Sequence, residues 1–165
     1  MIARRWVAAN SMDTPVTVVA DGTSFVSLTR LRLRSIRFAP SFAMYAIRTK
    51  QQCSKALGFR RGALLMDRKW TFWTLTAWDS QESMRAYMTS GDHKAAMPKL
   101  LDWCDQASVA HWNSATAELP TWQECDRRMR AEGRISKVRN AAPGHADMTF
   151  AAPRTTASGP ILPAR

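Results

Sequence analysis

Between Phe25 and Asn113 the chain alternates short runs of period two with longer runs of helical spacing. Phe25 to Leu33 is the first predicted strand. Phe25, Ser27, Thr29, Leu31 and Leu33 fall on one face, and Val26, Leu28, Arg30, Arg32 and Arg34 on the other. Pro40 suits the first turn of a helix, and Phe42, Tyr45, Ala46 and Thr49 follow at helical spacing up to a stop at Gly58. Phe59 to Asp67 reads as a second strand. Asp67-Arg68-Lys69 is a tight connection, and Trp70 to Trp78 pairs back as its hairpin partner. Asp79-Ser80-Gln81-Glu82 has the form of a helix start, with Glu82 three residues after Asp79 as in a capping box. That helix covers about 80–89, with Met84, Tyr87 and Met88 on one face. A second helical piece runs from about His93 to Cys104 and must accommodate Pro98, and Ser108 to Asn113 is the last strand.

The order is strand, helix, strand, strand, helix, strand, the split βαβ arrangement of a ferredoxin-like α+β fold with a four-stranded antiparallel sheet. Helices cover one face of such a sheet. The strand at Trp70 is apolar at both parities, with Trp70, Phe72 and Trp78 on one and Trp73 and Leu75 on the other. Both sheet faces are therefore expected to be buried, and a second copy of the chain is the simplest cover for the second face.

The rest of the chain reads differently. Residues 1–20 form a leader without periodicity, and Met12 is an alternative start. The domain spans 21–115. An extension over 116–133 carries the capping box Thr121-Trp122-Gln123-Glu124 and a short helix, which Trp122 and Met129 can pack onto the domain. From Gly133 onward Gly, Pro, Ala, Ser and Thr dominate, so 134–165 is expected to be a disordered tail.

Composition narrows the functional classes. A chain of 165 residues suits one domain. Cys53, Cys104 and Cys125 are odd in number and widely spaced, which points to reduced, buried thiols and a cytoplasmic setting. No apolar window approaches the length of a membrane helix. The net charge of +11 favours acidic partners, but the arginines are dispersed and form no dense basic block, so nucleic acid is not the expected partner. No phosphate loop, dinucleotide fingerprint, nucleophile elbow or His/Cys zinc set is present.

What remains is a strand rich in large rings that turns into a capped helix, with His93 just past it. That pattern predicts an apolar pocket with one titratable group. Trp78-Asp79-Ser80, the helix SQESMRAYMTSG and the segment Ser90-Gly91-Asp92-His93 resemble the antibiotic-biosynthesis-monooxygenase-like family of the dimeric α+β-barrel superfamily, over about 26–113. The resemblance implies a homodimer whose sheets face each other. It also implies a monooxygenase-like enzyme acting on a small apolar or aromatic molecule, without a cofactor. The catalytic candidates are His93 as base, Trp78 and Tyr87. The substrate-binding candidates are Trp112, Trp73 and, for an anionic group, Arg32. In the haem-degrading branch a Trp ends strand three and a proximal His follows the next helix, as Trp78 and His93 do here, but strand one lacks that branch's Asn. The alternative is thus a haem-binding or haem-modifying protein with His93 on the iron, and a third reading is a non-enzymatic ligand-binding or interaction domain. His111 is expected to be a packing residue and His145 a solvated one.

Overall fold

The computed structural model describes residues 22–164. The predicted leader and the choice between Met1 and Met12 lie outside the described residues. Strand β1 (Ser24–Leu33) is followed by a short 3-10 turn and helix α1 (Ala39–Ser54), then β2 (Phe59–Asp67) and β3 (Thr71–Trp78). Helices α2 (Gln81–Met88) and α3 (Gly91–Trp103) lead to β4 (Cys104–Ser114), and α4 (Trp122–Glu132), β5 (Arg134–Ile135) and β6 (Ser158–Ile161) complete the order.

The fold is α+β and ferredoxin-like, with β4-β1-β3-β2 antiparallel at its centre. The sheet has six strands rather than the expected four, because β5 adds to β4 and β6 to β2. Both additions come from the segment after Gly133, for which the composition predicts disorder. A two-residue strand and a Gly-Pro strand carry no readable period, yet each finds unpaired backbone at a sheet edge, where a strand's amides and carbonyls need partners.

Local starts and stops differ in detail from the sequence reading. Ser80, not Asp79, caps α2, its hydroxyl accepting from the Ser83 amide at 3.1 Å. Asp79 instead pairs with Arg60. Thr121 caps α4 as expected, accepting from the Glu124 amide at 3.2 Å. Helix α1 ends at Ser54, before Gly58. With φ at +77°, Gly58 makes the turn into β2, and a Cβ there would lie 2.4 Å from the Ser83 hydroxyl. The β2–β3 turn places Lys69 and Trp70 in the left-handed region, at φ of 54° and 56°.

The sheet is buried on both faces. Helices α1, α2 and α3 cover one. On the other, Val26, Leu28, Leu65, Trp73, Leu75 and Ala110 pack against Cys125 and Met129 of α4, with Trp122, Met148 and Phe150 closing over them. The apolar second face that argued for a partner copy is thus covered by the chain's own C-terminal region. His145, expected in solvent, is 8% exposed, and its Nε2 donates to the Ser136 carbonyl at 3.1 Å. All three cysteines are free and buried. No helix among the described residues is long and apolar enough to cross a membrane.

Candidate active site

A cavity of about 490 Å³ lies between the sheet and helices α1–α3. Its floor is built by strand parity. Ser27, Thr29 and Leu31 of β1, Thr74 and Thr76 of β3, and Ala107, Val109 and His111 of β4 all point to this face. Most are small, whereas the roof is large: Phe42 and Tyr45 from α1, Met84, Tyr87 and Met88 from α2, and Met97 and Leu100 from α3. Short floor side chains beneath long roof side chains leave the space that a close-packed core would fill.

At one end three rings lie in series, each tilted against the next. Trp78, fully buried, lies 5.1 Å from Tyr87, and Tyr87 lies 4.8 Å from His93, measured between centroids. Gln52 of α1 holds the end of this chain. Its Oε1 accepts from the His93 amide at 2.9 Å, and its Nε2 donates to the Ser90 carbonyl at 3.0 Å. His93 Nδ1 sits 3.1 Å from the Met88 carbonyl. A carbonyl only accepts, so Nδ1 carries the proton and Nε2 keeps its lone pair. Burial lowers the His93 pKa, against the opposing pull of the Met88 hydrogen bond. The ring is therefore neutral at pH 7, with a basic nitrogen that no described residue engages.

The other polar groups are more constrained. Tyr87 donates its hydroxyl to the Thr49 carbonyl at 3.2 Å, and burial pushes its pKa far upward. The phenol is thus a wall and an acceptor rather than a free donor. Burial raises the Cys53 thiol to about 12. The buried Trp78 indole N–H has no acceptor among the described residues. His111, read from the sequence as packing, lines the cavity, and its pKa is lowered by burial and by Arg134 and Arg85. Among the described residues no carboxylate lines the cavity, and Lys50 and Lys137 stand at its exposed edge.

Of the sequence-predicted residues, the structure brings His93, Trp78 and Tyr87 together. It does not bring Trp73, Trp112 or Arg32 to them. Trp73 is opposite Arg30 and Trp112 opposite Val26 in the strand register, both on the second face of the sheet. Trp112 lies beneath the Arg128 guanidinium, and Arg32 is bound to Asp105 by two hydrogen bonds of 2.8 and 3.0 Å. Parity carried the missing information. Trp78 shares a face with Thr76 and Thr74, so Trp73 cannot join it, and of the neighbours His111 and Trp112 only one can face the floor. No group of three or more His, Cys, Asp or Glu among the described residues is arranged to hold a metal ion.

A family model described as "Domain of unknown function (DUF3291)" matches residues 35–159. The chain belongs to that family. The DUF3291 domain has the antibiotic-biosynthesis-monooxygenase-like fold that the strand-to-helix segment resembles. A proposed antibiotic biosynthesis monooxygenase from Nitrosomonas europaea is similar at 12% identity and a TM-score of 0.51, covering 56% of this chain and 91% of that one. A conserved protein from Methanosarcina mazei Go1 reaches a TM-score of 0.49 at 12% identity, over 54% of this chain and 90% of that one. SnoaB, a cofactor-independent oxygenase from Streptomyces nogalater, reaches 0.45 at 17% identity, over 59% and 98%. The last two likenesses are too weak to carry an argument. No curated protein matches the chain.

Proposed function

We propose that this DUF3291 protein is a monooxygenase-like enzyme that binds a small apolar or aromatic molecule in the cavity above β1, β3 and β4. The observation that carries the reading is the neutral His93 ring, half-buried in an apolar wall, with Nε2 unengaged while Nδ1 is fixed on the Met88 carbonyl. A base in such a wall accepts a proton from an acidic C–H or O–H of an aromatic substrate. The carbanion formed is stabilised by its own ring system and adds O₂ at carbon. The hydroperoxide, once protonated, loses water across its remaining C–H, so one oxygen stays as a ring carbonyl and the other leaves as water, the substrate itself supplying both electrons. The described likeness to a proposed monooxygenase supports the fold that frames this site, not the reaction.

The test starts with binding. A panel of polycyclic phenols is titrated against Trp fluorescence, and O₂ uptake is then followed with no metal or flavin added. His93→Ala is expected to retain binding and to lose about 10²–10⁴-fold in rate, as for removal of a general base. Ligands that bind without O₂ uptake would leave a ligand-binding domain instead. The same Nε2 lone pair favours a second reading, haem ligation by His93. A Soret band that appears on haemin titration and disappears in His93→Ala would select it.

A further inference from the structure

The cavity reaches the surface at the β5 edge of the sheet, where its wall passes from Val109 and His111 to Ser136 and the exposed Lys137. Strand register places a cation on this edge. Arg134 stands opposite Val109, and the Ser136 amide donates to the Ala107 carbonyl at 2.9 Å. Val109, Ala107 and Ser136 all line the cavity, so Arg134, which shares their parity, projects from the same face of the sheet. His111 is its diagonal neighbour, within reach of a long side chain. Arg85 follows the cavity-lining Met84 on α2, and Arg134 and Arg85 are the charges that act on His111. Both arginines are exposed, and neither is in an ion pair among the described residues. Glu82, one turn before Arg85 on α2, offsets part of its charge. Burial, then Arg134 and Arg85, lower the His111 pKa, so the ring is neutral at pH 7 and has one N–H to donate.

His111, Ser27 and Thr76 lie opposite one another across β4, β1 and β3, and Trp78 is the next residue on that face of β3. From His111 to Thr76 is two strand spacings, about 10 Å. A polycyclic aromatic molecule spans that distance, with one end at the arginines and the other at the cluster of Trp78, Tyr87 and His93. Charge decides what the outer end carries. Among the described residues no carboxylate lines the cavity, and the charges at His111 are both positive. We propose that the substrate is a polycyclic aromatic carboxylic acid, its carboxylate seated at the β5 edge between Arg134 and Arg85 with His111 beneath, and its rings directed at His93. The inference rests on the reading of the cavity as the binding site of an aromatic molecule. It gives an anionic group the counter-charge that Arg32, held by Asp105, does not supply.

The experiment uses the full chain and three probes: a hydroxynaphthoic acid, its methyl ester and the parent naphthol, each titrated by calorimetry at neutral pH. Two cations at hydrogen-bonding range, each contributing about fivefold, should make the acid bind about 25-fold tighter than the ester. Raising the ionic strength from about 0.01 to about 0.15 M should shrink that preference. Arg134→Gln and Arg85→Gln should each weaken the acid about fivefold and leave the ester unchanged, which also shows that the variants are folded. Arg127→Gln, on α4 behind the sheet, removes the same net charge and should change neither. The proposal is overturned if the acid binds no tighter than the ester, if Arg127→Gln weakens the acid as much as Arg134→Gln does, or if the acid does not bind. A preference for the acid without O₂ uptake by any aromatic acid would sink the oxygenase chemistry and leave this inference standing. O₂ uptake with neutral phenols and no preference for the acid would do the reverse.

Discussion

Met129→Ala tests how the second sheet face is covered. Met129 is fully buried on α4 and packs in the same cluster as Val26, Leu28, Trp73 and Leu75. The substitution removes three heavy atoms, at about 0.8 kcal/mol each, or about 2.4 kcal/mol of lost burial. Incomplete collapse of the surroundings adds a cavity cost, so the expected destabilisation is about 3–4 kcal/mol. For a chain of this size that lowers the thermal midpoint by about 6–16 °C. Urea unfolding read by Trp emission is a direct assay, because Trp73, Trp112 and Trp122 all border the site. The midpoint should fall with an unchanged slope and should not depend on protein concentration. A loss below about 1 kcal/mol would refute the packing of α4. A midpoint that rises with concentration would mean that a second chain supplies the cover.

Three further outcomes follow from the same structure. Because burial lowers the folded-state pKa of His93, the unfolded chain takes up the proton first as pH falls below 6.5; stability is full above 6.5 and declines toward the folded pKa. His93→Gln should flatten that decline when urea midpoints are compared between pH 8 and 5, and an equal decline in both proteins would refute it. Replacing Lys69-Trp70 by Asn-Gly should stabilise the β2–β3 turn by about 1 kcal/mol, since both positions have positive φ; differential scanning calorimetry would show it, and a lower midpoint would count against the turn geometry. Burial holds Cys53, Cys104 and Cys125 at about 12, so the native protein should not react with a thiol reagent at pH 8, while all three react after denaturation. Rapid labelling of the native chain would contradict their burial.

The sequence reading located the central strands and helices because each carries its own period. β2 runs Phe59–Asp67 as read, and the α4 cap at Thr121 is where Thr-x-x-Glu placed it. The cluster of Trp78, Tyr87 and His93 was legible because the three lie within one strand–turn–helix segment and meet by local geometry. The remaining wall was not. Ser27, Thr29 and Val109 are ordinary strand residues, and they form a floor only because β1, β3 and β4 lie side by side with the same parity facing α1–α3.

What the sequence determined by itself is therefore local: which segments are strands or helices, where one helix is capped, and that the sheet must be apolar on both sides. Tertiary structure decided which of two equally apolar faces holds the cavity and what covers the other. Alternation assigns residues to opposite faces without saying which face is which. The period-free segment after Gly133 gained its order from edges and pockets already made by the sheet, whose unpaired backbone and apolar surface it satisfies.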